Sequence, residues 1–149
     1  MRCLKILLLA CSVSTLWGQQ LTQGPADEKA KKTYKEAFEL LKQRRTDAAL
    51  DSFKKADKQD GGHCLACQQQ MIKYGVELHE WKTAEAAAAE IVASANGPKE
   101  LALAHYQFGY VTLCEALDKH KDEILSRAHE EMLKALEVVP NFPDAIFVD

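Results

Sequence analysis

From Asp27 onward the apolar residues recur every three or four positions, with charged residues filling the steps between them. That is the period of amphipathic helix, and no stretch alternates with the period of two that a half-buried strand requires. Strong helix formers dominate and β-branched residues are scattered. Interruptions fall at Asp60-Gly61-Gly62, Asn96-Gly97-Pro98 and Pro140-Asn141-Phe142-Pro143. Shorter helix-to-helix turns are expected near Gln43–Asp47, His79–Lys82 and Lys119–Glu123. Pro98 and Pro143 suit the first turn of a new helix, where a missing N–H costs nothing. The pattern predicts an all-α chain, helix following helix.

A weak internal repeat runs through these helices. Ala49, Phe53 and Ala56 stand on one helical face in the spacing A-x-x-x-F-x-x-A. Ala84, Ala88 and Ile91 take the same spacing, and so do Ala128, Met132 and Ala135, with Pro140 shortly after. Each set follows another apolar-periodic helix, so the repeating unit is a helix pair. Small residues at such points let helices approach closely, and larger ones fill the gaps.

This arrangement resembles the tetratricopeptide repeat, a helix–turn–helix unit of about 34 residues. The family's small–x3–large–x2–Ala signature in the second helix is matched by the first and third sets and loosely by the second. Its small eighth position falls on Ala37 and Gly109, with Phe108 preceding, and Trp81 stands where an aromatic often precedes the second helix. Glu36 departs from an expected apolar position, Gly75 weakens the middle of a helix, and the third unit carries extra residues around EALDKHKDEILSR. Those extra residues require a longer first helix or a longer turn. The resemblance covers residues 30–140 and implies a right-handed solenoid of about three units, at 30–61, 65–97 and 98–140, with a partial fourth at 141–149. The segments GGHCLACQ, PKELALAHYQFG and ALEVVPNFPDA look most like the repeat region of bacterial exported proteins in which such units precede a thioredoxin-like domain. The sequence runs only to Asp149, so no redox activity of that second domain is carried over.

The resemblance also implies a function. In this family the first helix of each unit lines the concave face, and the corresponding outward positions are Tyr34 and Phe38, then Gln69 and Lys73, then Tyr106 and Tyr110. A groove with aromatic surfaces at both ends and one cation between them suits a protein or peptide partner. The same rings could instead fill the inside of the stack, and both readings stay open. The lysine/asparagine clamp that some members use for a carboxylate terminus is not reproduced.

The N-terminus bears on the compartment. MRCLK followed by ILLLACSVSTLW and Gly18-Gln19 resembles a secretory signal peptide over residues 1–18, cleaved after Gly18. Lipoprotein processing at Cys11 is the competing reading, although few apolar residues separate Lys5 from Cys11. Residues 19–26 read as a loose lead-in to a helical domain over 27–149. No transmembrane helix is expected after cleavage, and the expected location is the periplasm or cell envelope. With 19 basic and 22 acidic residues and a net charge of −3, nothing in the chain suggests a nucleic-acid surface.

Three cysteines remain beyond the signal segment. Cys64 and Cys67 form a C-x-x-C pair expected in the first turn of the second unit's opening helix. Positions i and i+3 of a helical turn bring Cα atoms within disulfide range. The pair can be a structural disulfide, two packing thiols, a redox centre with Cys64 as attacking thiol, or part of a metal site with His63, for which His105 is nearer in repeat register than Cys114 and the better candidate for a fourth ligand. A metal would still lack a convergent fourth ligand, and no cofactor is expected. Cys114 reads as a buried small apolar residue. AIFV at 145–148 could dock on the last full unit, pair with a second copy, or stand in for downstream sequence. The expected function is therefore non-catalytic binding through the concave face, with thiol–disulfide chemistry as the alternative.

Overall fold

Six helices follow one another along the chain in the computed structural model, which describes residues 24–140. They are α1 (Glu28–Lys42), α2 (Thr46–Gln59), α3 (Leu65–Glu77), α4 (Trp81–Ser94), α5 (Pro98–Lys119) and α6 (Asp122–Val138). The signal-like segment, Cys11 and the partial unit at 141–149 lie outside the described residues. Each helix packs against its neighbours in sequence, most extensively within the pairs α1/α2, α3/α4 and α5/α6. Beyond that nearest-neighbour order, α3 also touches α5. Among the described residues, no helix is long and apolar enough to cross a membrane.

Local chemistry accounts for the boundaries. Asp27 caps α1, its Oδ1 accepting from the N–H groups of Lys29 and Ala30, both at 2.9 Å. Gly61 and Gly62 take φ of 76° and 78° in the turn after α2, and Gly97, at φ 122°, stands immediately before the Pro98 that opens α5. The three tight turns inside the pairs have no glycine. They place Arg44, His79 and His120 at φ of 59°, 58° and 53° instead. The extra residues of the third pair lengthen its first helix, so that α5 has 22 residues against 13 in α3.

The small–large pattern is the packing seam. Ala49, Phe53, Ala56, Ala84, Ala88, Ala128 and Ala135 are all buried to 1% exposure or less, and Met132 nearly so. Gly75, which looked like a weakness in α3, is a point of close approach. A Cβ there would lie 3.0 Å from the Cβ of Ala84 and 3.2 Å from its backbone nitrogen. Gly109 plays the matching part in the last pair, where a Cβ would meet Met132 atoms at 3.0–3.1 Å. Trp81 opens α4 rather than preceding it, and it is buried.

Candidate functional site

Residues Gln69, Ile72, Lys73 and Val76 share one face of α3 at helical spacing, and Tyr106, Gln107 and Tyr110 share one face of α5. Together they line a cleft of about 270 Å³. Ile72 and Val76 also pack on the buried Ala84, Ala88 and Val111, which fixes the floor to the core. Tyr106 packs in the same way on Ala102 and Ala135 while still facing the cleft. Lys73 is exposed, its Nζ held 5.0 Å from the centre of the Tyr74 ring. A cation over an aromatic face is favourably placed and remains open to an anion.

Four of the six residues expected on the concave face therefore meet in this cleft: Gln69, Lys73, Tyr106 and Tyr110. Tyr34 and Phe38 do not line it. They form an edge-to-face cluster with the fully buried Phe53, with ring centres 5.1–5.4 Å apart, and Tyr74 stacks on Phe53 from the next helix at 5.9 Å. Both rings are half-buried, so they join the seam between the first two pairs. Ile72, Val76 and Gln107 complete the cleft. The signal for them was present, since each lies one or three positions from a residue that the repeat resemblance already selects.

The cysteine pair is a disulfide with a Cα–Cα distance of 5.1 Å. Cys64 stands at the N-cap of α3 rather than within its first turn, and its Sγ receives the N–H of Cys67 at 3.1 Å. The two cysteines are 1% and 0% exposed, packed with Ala56, Ala66 and Tyr34. A buried polar group stands beside them. Asp57, itself buried, accepts the N–H of Cys64 at 3.1 Å. Gln68 donates from Nε2 to the carbonyl of Gly62 at 2.9 Å and to Glu90 at 3.0 Å. Burial pushes the Asp57 carboxyl above its ordinary range, Glu90 adds to the rise, and the Cys64 N–H and Gln68 oppose it. Nothing in the local sequence marks Asp57 or Gln68, because their roles exist only once α2, α3 and α4 are packed.

Attack on a disulfide needs an accessible sulfur, and here the pair is sealed. Cys114 is likewise buried. His105, the candidate fourth metal ligand, has Nδ1 2.8 Å from Glu131 Oε2, and His63 is exposed. Among the described residues no three His, Cys, Asp or Glu side chains converge as a ligand set. Comparison with protein-family models, with curated proteins and with solved structures finds no match.

Proposed function

We propose that this chain is a non-catalytic binding scaffold whose α3/α5 cleft takes an extended peptide segment of a partner protein. In this reading the three helix pairs are tetratricopeptide-like units stacked as a right-handed solenoid, and the cleft lies on their concave side. The observation that carries it is the cleft itself: the Tyr106 and Tyr110 rings on α5 stand with Ile72, Val76 and the Lys73 cation of α3 around one opening. Aromatic walls supply contact area at little entropic cost, the Gln69 and Gln107 amides can pair with an extended backbone, and Lys73 favours an acidic group on the ligand. The signal-like residues 1–18 and the disulfide support an exported setting such as the periplasm.

The test is selection of extended peptides from a displayed library, followed by titration into isotope-labelled protein. Chemical-shift changes are expected at Gln69, Lys73, Tyr106 and Tyr110. Tyr106→Ala and Tyr110→Ala should each cost about 1–2 kcal/mol of affinity, with helical content unchanged. Lys73→Glu should penalise acidic peptides most. Selected peptides that bind while leaving those four residues unperturbed would sink the proposal.

A further inference from the structure

The last helix delivers the chain to one wall of the cleft. Val138 closes α6 and Val139 follows it, and both pack on the buried Ala102 and Ala135. Tyr106 of α5 packs on that same pair and also lines the cleft. The end of α6 therefore lies beside the Tyr106 wall. Residues 141–149 follow from that point with the sequence NFPDAIFVD. Their contour is up to ~30 Å, whereas the α3 wall from Gln69 to Val76 is about 10 Å long. Reach within one molecule is ample.

The chemistry matches as well as the reach. Among the residues that line the cleft, Lys73 alone is charged, and Ile72 and Val76 form an apolar floor. In the segment, the apolar run Ala145-Ile146-Phe147-Val148 is bracketed by Asp144 and Asp149, and residues 141–149 include no basic side chain. An aliphatic and aromatic run laid on such a floor removes apolar surface of both from water. A carboxylate beside the run complements the exposed Lys73 ammonium.

We propose that the chain's own segment 144–149 is the resident occupant of the α3/α5 cleft, so that a partner peptide binds by displacing it. This rests on the reading of the cleft as a docking surface. A short tether gives the segment an effective concentration of roughly millimolar order at its own cleft, so a weak contact is enough to fill it. Apparent affinity for a partner then falls by the fraction of time the cleft stands open. A segment in place nine-tenths of the time weakens a partner about tenfold.

Methyl-labelled full chain tests the occupancy without any variant. Nuclear Overhauser contacts are expected from the Ile146 and Val148 methyls to the Tyr106 and Tyr110 rings, unchanged on dilution. Ile146→Ser/Phe147→Ser should move the Gln69 and Lys73 amide signals and tighten library-selected peptides by about tenfold. Absence of those contacts, or a double variant whose cleft signals match the parent's, would overturn the proposal. Contacts that fade on dilution, with a dimer in sedimentation, would also overturn it, by seating a second copy's segment in the cleft. The two readings fail separately. Selected peptides that perturb the cleft while the double variant does not would remove the resident segment and leave the docking surface standing. Segment contacts that persist at saturating peptide would support the occupancy and sink the peptide reading.

Discussion

Gly75 and Ala84 bring α3 and α4 into backbone contact: a methyl group added at residue 75 would stand 3.2 Å from the Ala84 nitrogen. Backbone cannot swing aside as a side chain can. Gly75→Ala gains about 1 kcal/mol of helix propensity and meets an overpacking cost of about 1–3 kcal/mol. Net destabilisation is expected, read as a lower urea midpoint with an unchanged slope. Gly109→Ala is the internal comparison. There the obstacle is the Met132 side chain, which is flexible and can repack. Gly109→Ala should therefore cost less than Gly75→Ala, and the reverse order would mean that the helices of the middle pair are not held this close.

The sealed disulfide makes a kinetic prediction. With both cysteines at 1% exposure or less, a dithiol reagent reaches sulfur only when the end of α3 opens. Reduction under native conditions should be far slower than in denaturant and should accelerate with sub-denaturing urea. Equal rates in the two conditions would mean that a sulfur is open to attack, as the redox reading requires. Because the bridge closes a loop of only a few residues, the chain-entropy model gives it about 2 kcal/mol. Cys64→Ser/Cys67→Ala should lose less than that, since a serine at the N-cap replaces the capping role of Cys64 Sγ. Thermal melts of the double variant beside the oxidised parent check the magnitude.

How much of this was legible in the chain divides along a physical line. Helix order and the longer interruptions could be read because glycine and proline punctuate them: Gly61, Gly62 and Gly97 all adopt positive φ. The tight turns lack such punctuation, so Trp81 and Thr46 enter their helices a residue or so before the expected turns end. Gln69, Lys73, Tyr106 and Tyr110 could be placed on one side because the repeat resemblance gives corresponding positions on successive first helices. Tyr34 and Phe38 hold the corresponding positions of the first unit yet pack in the seam, since the ring that draws them is Phe53 on another helix. Side-chain volume across an interface decides that, and periodicity does not carry it. Asp57 and Gln68 were invisible for a related reason. Each reads locally as an ordinary polar residue on a mixed-charge helix, and only the packed neighbour makes it a buried group with a partner.

The titration of Glu131 on α6 should run opposite to that of Glu85 on α4, whose carboxyl burial and then the charge of Glu115 raise above its ordinary range. Glu131 of α6 is largely buried, and burial pushes its carboxyl up. Hydrogen bonds from Lys134 at 2.7 Å and from His105 at 2.8 Å, together with their charges, outweigh burial and hold it below its ordinary range. A carboxyl lowered by folding contributes stability that is present above the unfolded value and is lost as the pH falls through the folded one. Glu131→Gln should therefore flatten the acid side of the stability profile, below pH 4.5, and Glu85→Gln should flatten the profile above that point. Denaturation midpoints collected across that range separate the two slopes. If Glu131→Gln leaves the acid limb as steep as in the parent, the α5–α6 contact is held by its apolar packing, through Ala102, Ala135, Gly109 and Met132, and its polar pair adds nothing to stability.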